Sequence, residues 1–393
     1  MATIRRVALV VVIAALAFGA AVALSFLVDL PIAAAEDFYQ LYASDLAVRY
    51  GVGLYDEAAQ AALYARVQGL PPESVRAFPW VYPPWYNLAT FYLAWMPIRE
   101  ASRLWFYLNF AMLGGGVVLL TAGWPRRRQL AALVAALLFV PSIAVLFIGQ
   151  LIAPAFLGAC ACAAGLRRAR PGMAGLGLIL LSFKPPAGVL IALAGVAWLV
   201  TRRRPWSRRA LGVALVGGLV LVAGAFALDP TWPADYLGSL LRLGGLEVPA
   251  LCDSCSSLSQ VLARRLTDSA SGPWIVSGVL AAAIVGVTLW GRHPLWKSGP
   301  ALIAAAVLLT LLVSPYVRNY DYVMLLVPLM LTVESARGLP AALVIAAAYF
   351  IPWLTLIFPG RPGGSEFLWG SAALLLALSG RWASASPAAA EEA

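Results

Sequence analysis

The sequence predicts an all-α, polytopic membrane protein with roughly eleven to thirteen membrane helices and a large first extracytoplasmic loop carrying amphipathic helices. Three observations predict it. The 393 residues are 62% hydrophobic and only 12% charged, against about half and about a quarter in a soluble domain. So much apolar surface cannot be hidden in one aqueous core. Apolar segments recur along nearly the whole chain. Positive charge is gathered in short arginine clusters between those segments, as the positive-inside rule requires of cytoplasmic loops. The net charge of +10 therefore reads as membrane topology and not as a nucleic-acid footprint.

The elements follow in order. Residues 7–28 form the first apolar run, with Arg5 and Arg6 on its cytoplasmic side. Ala33-Ala34-Ala35 resembles a signal-peptide cleavage site, but a run of about twenty residues exceeds the usual h-region of ~7–15. A retained membrane helix is expected. The first outer loop, 29–80, holds Asp37, Asp45, Asp56, Glu57 and Glu73 among tyrosines. Two pieces of it, 38–50 and 57–67, read as amphipathic helices lying on the membrane, ended by Gly51 with Gly53 and by Gly69 with Pro71-Pro72. Val81-Tyr82-Pro83-Pro84-Trp85 makes a rigid entry into an apolar stretch that reaches Met96.

Further apolar segments lie at about 103–123, 129–148, 151–166, 173–183, 187–201, 210–228, 274–290, 299–313, 321–333, 340–358 and 367–380. The clusters at Arg126, Arg167, Arg202, Arg292, Arg337 and Arg381 are each separated from the next by two such segments, which puts all six on one face. If 7–28, 83–97 and 103–123 all cross, Arg126 to Arg128 fall outside, so either one early segment is partial or this cluster violates the rule; residues 83–97 would rise only ~22 Å as a helix, short of the ~30 Å hydrocarbon thickness. One membrane domain, 1–382, is expected, with a second outer loop at 229–272 and a small, polar, disordered tail at 383–393. Cys160 and Cys162 lie in an apolar run. Cys252 and Cys255 lie in the second outer loop, where a disulfide and free thiols are both open readings.

With the arginines inside, the opposite face collects the polar, acidic and proline-rich stretches, which points to one site opening outward. Asp37 ranks first in it. A solvated loop acid is the bland reading of Asp37. The aromatic run Asp37-Phe38-Tyr39-Gln40-Leu41-Tyr42 and the position at the mouth of an apolar cavity favour a general base for a hydroxyl. Glu36 is the adjacent alternative, and Asp45 lies about two helical turns on, so it could share a face with Asp37. Lys184 interrupts an apolar run before Pro185-Pro186. A lysine near the bilayer centre costs about 2.5–3.5 kcal/mol, so it needs a partner or an interface. It reads either as a snorkelling side chain at a helical hairpin tip or as a point charge for a phosphate. In Ser314-Pro315-Tyr316-Val317-Arg318-Asn319-Tyr320-Asp321, Arg318 either pairs with Asp321 or binds a phosphate or a sugar hydroxyl. His293 sits in a basic loop and is a poor catalytic candidate, and no nucleotide-binding glycine loop or zinc or di-metal spacing is present.

Five stretches together resemble a known family: Asp37 with Tyr42 and Gly53-Leu54-Tyr55-Asp56; Val81-Tyr82-Pro83-Pro84; Gly149-Gln150; Lys184-Pro185; and Ser314-Pro315. Their order and spacing are similar to the bacterial polyprenol-phosphate-dependent mannosyltransferases with the C-type membrane glycosyltransferase fold, a group that includes the phosphatidylinositol-mannoside mannosyltransferase. The resemblance implies a polyprenyl-phosphate sugar donor, a glycolipid or glycan acceptor, inversion at the anomeric carbon, and a bacterial plasma membrane with the active site on its extracytoplasmic face. It puts the general base on Asp37 and the family's lysine before proline on Lys184; the residues themselves add donor-phosphate contacts at Lys184 and Arg318 and substrate contacts at Glu36, Tyr39, Tyr42, Tyr82, Gln150 and Asn319 as expectations. An activated donor needs no nucleotide or redox cofactor, so no cofactor is expected; one carboxylate cluster is thin support for a metal, so no metal ligand is assigned, and no nucleic-acid partner is expected. Two stretches depart from the family: Val317-Arg318-Asn319 stands where relatives often carry histidine, and Cys255-Ser256-Ser257-Leu258 where they usually read Asn-Gln-Ser-Leu. A secondary transporter or lipid flippase, with Lys184 and Asp37 binding ions or substrate, is the competing reading. A non-catalytic membrane scaffold is a third, but it leaves the outer polar stretches unexplained.

Overall fold

The computed structural model describes residues 36–71, 80–250, 256–266, 275–282, 298–335, 337–357 and 367–378. The expected first membrane helix at 7–28, Glu73, Cys252, Cys255, His293 and the tail lie outside the described residues, as does the side chain of Glu36. The described chain is helical and contains no strand. Prolines write many of the helix starts, because a proline at the first turn gives up no hydrogen bond and fixes φ near the helical value.

In chain order the first described helices are α1 (Glu36–Tyr50) and α2 (Glu57–Gln68). Next come α3 (Pro84–Thr90), a 3-10 turn (Phe91–Trp95) and α4 (Ile98–Thr121). Then α5 (Arg126–Leu138) and α6 (Val140–Ile148) follow, bent by 59° where Pro141 interrupts the run. After them run α7 (Ala153–Arg167), α8 (Pro171–Leu181), α9 (Pro185–Arg202) and α10 (Pro205–Leu228). The chain continues with α11 (Trp232–Ala250), α12 (Leu258–Leu266), α13 (275–282) and α14 (Gly299–Val313). A 3-10 turn (Asn319–Leu325) leads into α15 (Leu326–Ser335), α16 (Leu339–Phe350), α17 (Leu354–Ile357) and α18 (Leu368–Leu378). Among the described residues α4, α9 and α10 are long and apolar enough to cross a membrane alone, and the bent α5–α6 pair makes a fourth candidate. The shorter apolar helices include α7, α8 and α14. The segment expected to be partial, 83–97, is broken between α3 and its 3-10 turn.

The core is built on α7 and α14, whose side chains are buried almost throughout. Small residues let α7 and α8 touch backbone to backbone: a Cβ on Gly177 would lie 2.4 Å from the Cys162 nitrogen. Close approach of this kind is how helices associate where lipid removes the hydrophobic drive. By contrast α10 buries only Ser207, Ala210 and Ala225 and turns Leu215, Val216, Leu219 and Val220 outward, as a lipid-facing helix should.

The outer-loop helices differ from their expected form. The two helices lie where the sequence puts them, but α1 is not a surface helix. Phe38 and every residue from Leu41 to Ala47 is buried. Phe38, Tyr42, Tyr55, Trp80, Tyr82, Tyr86, Trp105 and Phe183 form a second, aromatic core that holds α1 against α3, α4 and the α8–α9 turn. The polar Ser44 and Asp45 of α1 find buried partners instead of water. The described parts of 229–272, a stretch expected as the second outer loop, are largely helical, and α11 docks on the Tyr55–Glu57 stretch and Trp80. Ser239 Oγ donates to the Trp80 carbonyl at 2.7 Å, Arg242 Nε lies 2.5 Å from Glu57 Oε1, and the Tyr55 and Tyr236 rings stand 5.9 Å apart.

Candidate active site at one end of the bundle

Gly149-Gln150 terminates α6 and builds the first wall of the site. Gly149 caps the helix with φ +70°, a left-handed value that glycine adopts without strain. A Cβ there would lie 2.6 Å from Phe38 Cβ, so the absent side chain lets α1 press against the cap. Trp105 Nε1 donates to the Gly149 carbonyl at 2.8 Å, Asn109 Nδ2 to the Gln150 carbonyl at 3.2 Å, and the Gln150 N–H to the Val145 carbonyl at 3.0 Å. The Leu151 N–H fixes the orientation of the Gln150 amide by donating to Oε1 at 3.2 Å. Gln150 is fully buried, and its Nε2 donates to Asp37 Oδ2. A partly exposed carboxylate is thus aimed by a rigid amide, 113 positions apart in the chain.

The second wall comes from Lys184. Ser182, Phe183 and Lys184 form the turn between α8 and α9, so the lysine does sit at a hairpin tip. It does not snorkel. Lys184 is 1% exposed, and Nζ lies 2.6 Å from Asp321 Oδ1 and 4.8 Å from the Tyr320 ring centroid. The Trp85 indole donates to the Ser182 carbonyl at 3.2 Å, and Tyr86 packs on Phe183 at 5.5 Å between ring centroids. The Tyr-Pro-Pro-Trp stretch is therefore what holds the lysine turn.

The third wall is the Ser314–Asp321 stretch. Asp321 opens the 3-10 turn by accepting the Arg318 N–H on Oδ2 at 3.0 Å while its own N–H donates back to the Arg318 carbonyl at 3.0 Å. Of the two readings of Arg318, pairing with Asp321 is realised through its backbone, and the carboxylate's ion pair goes to Lys184. The Arg318 guanidinium carbon lies 5.9 Å from the Tyr316 ring centroid. The departing Cys-Ser-Ser-Leu stretch also supports this wall. The Ser256 N–H donates to the Val317 carbonyl at 3.3 Å, and Gln260 Nε2 to the Pro315 carbonyl at 2.6 Å.

Burial first, then the neighbouring Tyr320 and Tyr316 phenols and the Asp37 carboxylate, hold the Tyr82 hydroxyl well above its usual range. Burial first, then Asp37, raise Tyr320, with Arg318 opposing. Asp37 thus acts on both phenols, and the Tyr320 ring centroid lies 4.8 Å from Lys184 Nζ. Both phenols stay protonated donors beside a carboxylate.

Other expected site residues are placed differently. The Tyr42 hydroxyl donates to the Met96 carbonyl at 2.7 Å, Asn319 Oδ1 accepts the Tyr320 N–H at 2.8 Å, and Tyr39 is half-buried on α1. Glu36 is the first residue of α1. Asp45 leaves the site altogether. Eight positions on a 100° helix leave it about 80° off the Asp37 direction, and it turns to α3, accepting from Asn87 Nδ2 at 2.8 Å and Thr90 Oγ1 at 3.0 Å. Asp321, Tyr316 and Tyr320 were not singled out as site residues. The signal for Asp321 was the demand of Lys184 for a carboxylate.

The profile of glycosyltransferase family 87 matches residues 80–315. The match takes in Tyr82-Pro83-Pro84, Gly149-Gln150, Lys184-Pro185 and Ser314-Pro315, and leaves Asp37, Arg318, Asn319 and Asp321 outside it. A comparison with curated proteins gives no match. The match covers more than half of an all-α membrane chain, so this protein belongs to glycosyltransferase family 87 and is a membrane glycosyltransferase.

Proposed function

We propose that the chain moves mannose from a polyprenyl-phosphate donor to a glycolipid or glycan acceptor at the extracytoplasmic face of a bacterial plasma membrane, with inversion. The observation that carries this reading is the aiming of Asp37 by the buried Gln150 amide. An acceptor hydroxyl binds beside Asp37 and loses its proton to that carboxylate as its oxygen bonds to the anomeric carbon. The bond from that carbon to the phosphate oxygen breaks, and its electron pair leaves on the phosphate. Arg318 meets the growing negative charge, and the Tyr320 and Tyr82 hydroxyls donate to sugar or phosphate oxygens. Lys184 acts on the donor side mainly by holding Asp321, and through it the turn that carries Arg318 and Tyr320. Tyr39, Glu36 and Asn319 complete the substrate contacts at the rim.

The test is transfer from radiolabelled polyprenyl-phosphate mannose in membranes carrying Asp37→Asn. General-base removal is expected to lower transfer about 10²–10⁴-fold while the protein still inserts and melts like the parent. Parental transfer by a correctly inserted Asp37→Asn protein removes Asp37 as base. Transfer of a different sugar by the parent protein overturns mannose but keeps the site.

A further inference from the structure

A groove of about 680 Å³ opens along α4, α7 and α8, and its rim at the turn Arg168-Ala169-Arg170 lies at the far end of α7, about 22 Å by helix rise from the end that follows Gln150. Its walls are apolar, with Leu119, Leu157, Leu176 and Leu180 among them, and Leu176 is 55% exposed. The rim is cationic. Arg168 is fixed there by donating to the carbonyls of Leu119 at 3.0 Å and Ala122 at 2.9 Å. Arg170 is exposed and carries no ion pair among the described residues. The nearby Arg167 is already neutralised by Glu334 at 3.0 Å, so the rim's uncompensated charge comes from the other two arginines.

The two halves of this groove ask for different chemistry in one molecule. A soluble anion has no use for the leucine walls, and an uncharged lipid has none for the arginines. We propose that the groove is a binding site for an anionic glycerophospholipid of the leaflet opposite the active site, with its phosphate at Arg168 and Arg170 and an acyl chain along Leu119, Leu157, Leu176 and Leu180. Basic pockets between membrane helices hold anionic headgroups in this way. The arginines lie where the chain's other basic clusters gather, so charge bias places the groove in the cytoplasmic leaflet, the one rich in anionic lipid.

The test is native mass spectrometry of the full chain, delipidated and titrated with phosphatidylglycerol or with phosphatidylcholine of the same acyl composition. Two variants accompany it. Arg170→Gln removes one rim charge. Gly172→Leu fills the groove at a position where an added Cβ meets nothing within 4 Å. Arg168 is left in place because it closes the end of α4. The parent protein is expected to retain phosphatidylglycerol over phosphatidylcholine. Arg170→Gln should lower phosphatidylglycerol retention about fivefold, and Gly172→Leu should lower it at least as much, both with parental melting temperatures. Equal retention of the two lipids by the parent overturns the proposal, and so does parental retention of phosphatidylglycerol in both variants. Asp37→Asn should retain lipid like the parent, which keeps this result separate from that of sugar transfer.

Discussion

Replacing Lys184 with methionine should destabilise the protein more than replacing Lys184 and Asp321 together. The lysine and aspartate side chains are 2% and 1% exposed and their charged atoms lie 2.6 Å apart. At an effective dielectric near 20 their attraction is roughly 6 kcal/mol, and desolvating both ions costs several kcal/mol each, so the pair as a whole is close to neutral. Removing one partner is different. Asp321 keeps the Arg318 N–H but is left as a buried carboxylate without its cation. Breaking a buried pair from one side typically costs ~3–5 kcal/mol, so about 4 kcal/mol is expected. With an unfolding entropy of about 2.1 cal/mol/K per residue, 4 kcal/mol lowers the Tm of this chain by about 5 °C. The assay is tryptophan-fluorescence melting of the full chain in one detergent. Lys184→Met should melt about 5 °C low, and Lys184→Met with Asp321→Asn should recover most of the loss. A Lys184→Met protein that melts within a degree of the parent, or a double variant that melts no higher than the single one, refutes the assignment of Asp321 as the compensating charge.

Three further outcomes follow from the same geometry. Burial pushes the Asp45 carboxyl up to about 8, against the lowering effect of Asn87 and Thr90. The folded state therefore holds a proton that the unfolded state releases near pH 4, and stability should fall as pH rises from about 4 to about 8, by up to ~1.4 kcal/mol per unit. Asp45→Asn should flatten that slope in melts taken across the window; an unchanged slope removes Asp45 as its source. Gly149→Ala forces a left-handed backbone on alanine and drives its Cβ to 2.6 Å from Phe38 Cβ. It should cost about 1–3 kcal/mol and reduce transfer by displacing Asp37, both read on one preparation. Gln150→Leu should lower kcat with little change in KM, because the amide aims the base and does not bind substrate in this scheme; a change confined to KM points to substrate contact instead.

Much of the local structure was legible. Prolines at 154, 171, 185 and 205 mark helix starts because a first-turn proline loses nothing, and Gly51 and Gly69 mark turns at positive φ. Lys184 was legible as a charge that needed a partner, because its neighbours are apolar. Which carboxylate answers it was not, since Asp321 lies 137 positions away. The burial of α1 was also hidden: 38–50 reads as an amphipathic helix on the membrane surface, whereas Asn87, from another helix, donates to both Ser44 and Asp45 at 2.8 Å.

The sequence by itself determined the class of solvent this protein lives in, the helices and most of their ends, because hydropathy and proline act on neighbours a few positions apart. The tertiary structure decided what each polar group inside the bundle does. A buried charge or amide is stable only against a specific partner, and here those partners come from helices far apart in the chain. Asp37 is aimed because Gln150 ends α6 behind it, and Lys184 stays buried because the Asn319–Leu325 turn carries a carboxylate to its tip.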